Sequence, residues 1–317
     1  MTAPSVVAYK LDTIVMTSPS VTFSAISEKN LQNQIESFAE GPAGHPSPMF
    51  AAVKTVKPMT TFTTPELDKV AANIPVWGVA PGVTVYQKLS TSVAPASRAS
   101  TSNRKFVYAS AIAYWQSINL PDRDIGTAQL TLCSIYNGSA EPVVPTASVA
   151  LAGTLAATKY FCAGPIWLVD DAVSPVTTNL LNIMSIQIDS GAQFRSDGDC
   201  SSIYDTYGEV TIKECVVTIK TRVPMNVTTW PIGGTAITAF RFFARAFKSG
   251  GSRIADATAS HIKFAGTSGG TSAIALLIPE NTMASGQELY ADTFKLVCVS
   301  PDGTTPPIVM TNAVAIE

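Results

Sequence analysis

Charge is scarce in this chain: Asp, Glu, Lys and Arg together make up 14% of its 317 residues. A soluble domain ordinarily carries about 25%. The 21 Lys and Arg residues are scattered against 23 Asp and Glu, for a formal net charge of −2. Stable nucleic-acid binding needs a concentrated cationic footprint, so that class is set aside. Histidine is almost missing, with only His45 and His261. A histidine-based triad or metal site would have to use one of these two. Turn packing and strand capping are the plainer roles. Five cysteines stand at 133, 162, 200, 215 and 298, an odd number with no CxxC spacing. Neither a disulfide framework nor a zinc site is expected. Cys133, Cys215 and Cys298 lie in strand-like runs and read as small core residues folded under reducing conditions. No apolar run approaches bilayer length; Ala273 to Pro279 is among the longest. Met1 to Lys10 has no basic stretch followed by an apolar one, so no secretory leader is expected. The sequons at Asn137 and Asn226 then carry no meaning.

Catalytic signatures are missing too. No serine sits in a Gly-x-Ser-x-Gly elbow. Gly266-Thr267-Ser268-Gly269-Gly270-Thr271-Ser272 lacks the Gly-Lys-Ser/Thr ending of a phosphate loop and reads as a turn. Asp189, Asp197 and Asp199 could face a hard cation, but the EF-hand spacing and its final Glu are missing. The pairs Asp170-Asp171 and Asp122-Arg123-Asp124 are loop neighbours that do not converge as an acid/base couple would. Trp77, Trp115, Trp167 and Trp230 are too dispersed for a stacking ladder and suit core or interface positions. No enzyme activity, cofactor or metal is expected.

What the chain does have is alternation. Hydrophobic residues reach 46%, with Ser, Thr and Ala where Lys and Glu usually sit. Such a weakly charged surface suits copies that pack against one another. Val21, Phe23 and Ala25 alternate with polar neighbours. So do Val83, Val85 and Gln87; Leu130 and Leu132; Met184, Ile186 and Ile188; and Phe294, Leu296 and Cys298. Short period-two runs bounded by Gly, Pro, Asn and Asp predict a sandwich or barrel. In Val210 to Arg222 the apolar parity slips, from Val210 and Ile212 to Cys215, Val217 and Ile219. That slip predicts a bulge or kink near Lys213–Glu214; the alternative is two strands meeting at a tight bend. One helix is predicted over residues 65–74, capped by Thr64, with Pro65, Glu66 and Asp68 in its first turn. Leu67, Val70, Ala71 and Ile74 form its apolar face and Pro75 stops it. A second helix over Glu28 to Phe38 competes with a strand at residues 35–38. Segments 91–104, 137–158, 248–252 and 266–272 read as loops, and 137–158 is the best boundary. The expected division is a β domain over residues 1–150 and a second β domain over 151–317.

Two stretches share a plan of strand, irregular turn and long strand. One runs from Ile35 through Gly41-Pro42-Ala43-Gly44-His45-Pro46 to Phe62. The other runs from Ile186 through Ser196-Asp197-Gly198-Asp199 to Ile219. Internal duplication marks assembly modules more often than single active sites.

Phe38-Ala39-Glu40-Gly41 through Pro48-Met49-Phe50, then Phe62-Thr63-Thr64-Pro65-Glu66-Leu67, is similar to bacteriophage tail tube proteins. So is Ile188-Asp189-Ser190-Gly191 through Ser196-Asp197-Gly198-Asp199. About half of the chain resembles that family, in the order of turns, strands and one helix. The resemblance implies a mainly β fold, a tail-tube-like sandwich or barrel with a flanking short helix, and allows its duplication in one chain. It implies a virion subunit, assembled in the host cytoplasm, whose rings stack into a conduit for genome delivery. Its partners would be further copies of itself, other tail proteins and passing DNA, with no membrane. The chain's length favours trimeric rings with pseudo-sixfold symmetry over hexamers. Asp189, Asp197, Asp199 and Glu209 are then candidates for an acidic lumen that repels phosphate. Val210, Ile212, Val217 and Ile219 are candidates for the strand that joins subunits. The rival expectations are a viral decoration or minor capsid protein and, further off, a secreted binding sandwich.

Overall fold

The structure is a computed structural model. It describes residues 8–40, 47–90, 97–151, 159–170, 177–180, 182–198, 201–222, 234–248, 252–266, 273–280 and 292–317. His45, Asp199, Trp230 and most of the loops expected at 248–252 and 266–272 lie outside the described residues.

Strand propensity and alternation dominate, as the sequence predicts. The first half carries β1 (Ala8–Thr17), β2 (Ser20–Phe23), β3 (Glu28–Glu40), β4 (Phe50–Thr64), helix α1 (Leu67–Asn73), β5 (Val83–Ser90), β6 (Asn103–Tyr108), β7 (Ala111–Pro121), β8 (Thr127–Ser134) and β9 (Val143–Val149). There follow β10 (Tyr160–Asp170), β11 (Thr177–Leu180), β12 (Ile183–Asp189), β13 (Ala192–Asp197), β14 (Tyr207–Ile212) and β15 (Cys215–Thr221). The rest are β16 (Thr235–Phe247), β17 (His261–Gly266), β18 (Ala275–Glu280), β19 (Asp292–Cys298) and β20 (Ile308–Val314). The protein is mainly β and sandwich-like, with one short helix among the described residues.

One sheet has five strands in the order β2-β1-β5-β6-β9. The large sheet runs β11-β10-β16-β18-β19-β15-β12-β7-β8-β4-β3, with β17 and β20 branching from β16. The branch occurs because β16 is 13 residues long. Its start, Thr235 to Ile237, pairs with β18, while Arg241 to Ala244 pairs with β17. The sheet therefore turns a corner at β16, and β10 comes to pack across from β7 and β12. β7 and β12 pair across residue 150, and one continuous buried cluster runs from Ile14 to Ile308. Segment 137–158 is not simply a loop: its middle forms β9, which closes the five-stranded sheet on β6.

The region 28–40 is strand throughout. Leu31, Ile35 and Phe38 have helical spacing, but β4 offers an antiparallel partner from Glu28↔Thr63 to Glu40↔Phe50. A complete hydrogen-bonded ladder outweighs that spacing. The helix is shorter than the 65–74 expected. Thr64 ends β4 and does not cap the helix in the usual way. Its hydroxyl donates to the Ala25 carbonyl at 2.7 Å and accepts from the Glu66 N–H at 3.2 Å. Glu66 is fully buried and turns away from the helix start. Its carboxylate accepts from the N–H groups of Ser24 (2.7 Å) and Ala25 (3.1 Å) and pairs with Lys69. It locks the β2–β3 turn against α1, a charge-assisted use that a merely dipolar role would not reward as well. Leu67, Val70 and Ile74 are buried as the apolar face requires.

Candidate assembly surface

The sequence that makes β3 and β4 so long also carries them beyond the sheet. β4 pairs with β8 only from Met59 to Thr64. From Phe50 to Thr55 its regular partner is β3 alone. The far half of the hairpin is a two-stranded ribbon that leaves the sandwich as an arm. Ile35, Phe38, Met49, Phe50 and Val53 are 41–64% exposed on it. Glu40 opposes Phe50 and Phe38 opposes Ala52, so the two phenylalanines share a face. Their rings meet edge-on, 6.1 Å apart. Large apolar side chains gathered on a projecting ribbon mark a contact surface rather than ordinary surface scatter. A two-stranded hairpin is also marginal by itself in water. Within the described residues the outer edge of β3 has no strand beside it, and such an edge is a template for another chain.

The base of the arm is braced by the segment between β13 and β14. Val56 N–H donates to the Ile203 carbonyl at 2.9 Å, and Tyr136 N–H donates to the Asp205 carbonyl at 2.8 Å. Lys57 reaches the largely buried Asp205 carboxylate at 3.0 Å. An open cleft of about 490 Å³ lies here, lined by Lys54, Lys57, Asp197, Ser201, Ser202 and Asp205 among others.

The hairpin that supplies this brace is the second half of the shared plan. β12 and β15 continue past a bend into β13 and β14. The bend falls at Lys213–Glu214, where the parity slip placed it, but it separates two strands rather than bulging one. The glycine that permits it is on the opposite strand. Gly191 has φ +64°, and a Cβ there would meet the Glu214 carbonyl oxygen at 2.0 Å. Beyond the bend the hairpin lies against the outer face of the large sheet. There Phe194, Val210 and Ile212 pack with Tyr114, Cys133 and Ala192.

Of the proposed lumen acids, Asp189, Asp197 and Glu209 are among the described residues. Asp189 is exposed at the end of β12 and accepts from the Gly191 N–H at 3.0 Å. Asp197 ends β13 and accepts from the Gly198 N–H at 2.9 Å, beside Lys54 and Lys57 in the cleft. Glu209 stands opposite Arg195 on β14 and accepts from the Tyr207 hydroxyl at 3.0 Å. That bond raises the Tyr207 phenol above its usual range. The joining-strand candidates are also placed. Val210 and Ile212 are half-buried in the small outer cluster. Val217 and Ile219 are buried, and β15 is paired on both edges, by β12 and β19. Those hydrogen bonds are satisfied within the chain. Sequence reasoning missed the arm as a surface. The signal was present: Phe38, Met49 and Phe50 flank a Gly/Pro-rich stretch of sequence, and apolar residues beside such a stretch are seldom covered by their own chain.

His261 is fully buried. Its Nδ1 accepts from the Ala246 N–H at 3.0 Å, so Nε2 carries the proton and donates to the Ala255 carbonyl at 3.1 Å. Both ring nitrogens are occupied by backbone, which is a strand-capping role. Among the described residues no group of three or more His, Cys, Asp or Glu is placed to hold a metal. Among them, too, no helix is long and apolar enough to cross a membrane. A scan against protein-family models and a search of curated proteins gave no match.

Proposed function

We propose that this chain is a non-enzymatic structural subunit that assembles with copies of itself, of the bacteriophage tail tube kind. The observation that carries the reading is the β3–β4 arm: among the described residues β3 has no strand on its outer edge, and Ile35, Phe38, Met49, Phe50 and Val53 are exposed on the arm. A head-to-tail contact through such an edge closes a ring if its rotation divides a full turn, and rings can stack. Trimeric rings with pseudo-sixfold symmetry are the favoured stoichiometry, forming a conduit for DNA in a virion tail. Low overall charge suits a passage that must not retain phosphate. The large β core supplies a rigid body, and the arm supplies reach.

The test is electron microscopy of the purified chain at high concentration, with native mass of the particles. Stacked rings of trimeric mass are expected. Icosahedral lattices or free trimers would transfer the reading to a decoration or minor capsid protein. A monomer at every concentration would end the self-assembly reading.

A further inference from the structure

Cys215 and Cys298 are direct partners in the ladder between β15 and β19. Both are buried, at 1% and 4% exposure, in the main core. The Cys298 thiol donates to the Leu296 carbonyl of its own strand at 3.6 Å. Directly opposed residues of an antiparallel pair have Cα atoms about 4.5–5.5 Å apart, within the roughly 4.4–6.8 Å that a disulfide spans. The other described cysteines have no such neighbour. Cys133 stands between Met59 and Ile112, and Cys162 faces Arg245. We propose that Cys215 and Cys298 are an oxidation site, at which a hydroperoxide closes a cross-strand disulfide that staples β15 to β19.

The chemistry balances with the peroxide as the only oxidant. One cysteine attacks as thiolate and breaks the O–O bond, giving a sulfenic acid and releasing the first oxygen as water once protonated. The second thiol then attacks that sulfur; the S–S bond forms, the S–OH bond breaks, and a second water leaves. Two thiols are oxidised by two electrons and one hydrogen peroxide is reduced to two waters. Burial, together with the neighbouring Cys215 thiol, holds Cys298 well above the ordinary thiol range. The thiolate is the reactive form, so closure is slow at neutral pH and faster in mild alkali. The ring so closed holds about 80 residues, including β16, β17 and β18, and a loop of that length constrains the unfolded chain strongly.

The full-length folded chain is treated with dilute hydrogen peroxide at pH 7 and pH 9, alkylated, and mapped without reduction. A peptide linking Cys215 to Cys298 is expected, forming more than about tenfold faster at pH 9, as the thiolate fraction rises roughly tenfold per pH unit below the thiol's pKa. Cys133 and Cys162 are expected to be alkylated as free thiols once the chain is unfolded. The linked protein should melt roughly 5–10 °C higher, reversed by dithiothreitol and absent in Cys215→Ala. The wild-type map stands even if that variant folds poorly. Overturning results are a link that appears only after denaturant, oxidation of Cys298 to sulfinic acid without a link, or an unchanged melting temperature in the linked form.

Discussion

Cys133 sits among Tyr114, Met59, Ile112 and Phe194 under the β13–β14 hairpin. Burial there pushes its thiol from 9.0 up to about 12, and burial, with the same thiol nearby, takes Tyr114 from 10.0 to about 12. The folded state therefore holds these protons more tightly than the unfolded chain. Their contribution is fully present below pH 9 and is lost as pH rises from about 9 toward 12. For Cys133 alone the span is on the order of 4 kcal/mol at its limit, at about 1.4 kcal/mol per unit. Urea midpoints of wild type and Cys133→Ala, compared from pH 8 to 11, should show a shallower alkaline fall in the variant. Parallel curves would remove Cys133 from the alkaline response. The residue scale was partly legible beforehand. Strand alternation placed Cys133, Cys215 and Cys298 in the core, where they are. The same alternation could not tell that Asp189 would accept from the Gly191 N–H while Asp197 lined one cleft with Lys54 and Lys57 of a distant strand, because that depends on which strands become neighbours.

At the scale of elements, local signals fixed type better than limits. Helix α1 keeps the predicted apolar face of Leu67, Val70 and Ile74. It starts late because Thr64 and Glu66 spend their side chains on Ser24 and Ala25, a contact some 40 positions away and invisible to a window of sequence. The bend at Lys213–Glu214 was legible as a parity slip. Its cause was not, since the permissive residue is Gly191 across the ladder. Gly191→Ala would place a methyl against the Glu214 backbone and hold a left-handed conformation in an L side chain. The left-handed conformation alone costs about 1–2 kcal/mol, and the backbone clash adds to it. A loss of at least about 2 kcal/mol in denaturant titration is the expected outcome, with the outer cluster at Phe194 loosened first in hydrogen exchange. A fully tolerated alanine would mean that the bend relaxes without Gly191.

For the whole molecule, the decisive contrast is between one shared core and an arm outside it. The buried cluster joins strands from both ends of the chain, and β7 with β12 ties them into one sheet. Those long-range pairings follow from which edges meet, which no local pattern encodes, so the mainly β class was readable and the branching at β16 was not. The arm contributes little to that core: Phe38 and Phe50 are 41% and 53% exposed. Their mutual edge contact is worth about 0.5–1.5 kcal/mol. Replacing both, Phe38→Ser with Phe50→Ser, should therefore lower the melting temperature by only a few degrees at most for a chain of this size. If the arm is the joining surface, the same change should abolish higher-order particles at concentrations where the wild-type chain forms them, because two aromatic anchors would be lost from each contact. Sedimentation velocity of both proteins at matched concentration reads the two effects apart: a folded monomer supports the arm as the joint. Wild-type assembly by the double variant would place the joint elsewhere, with β2, β9 and β20, whose outer edges carry no strand among the described residues, the next to test.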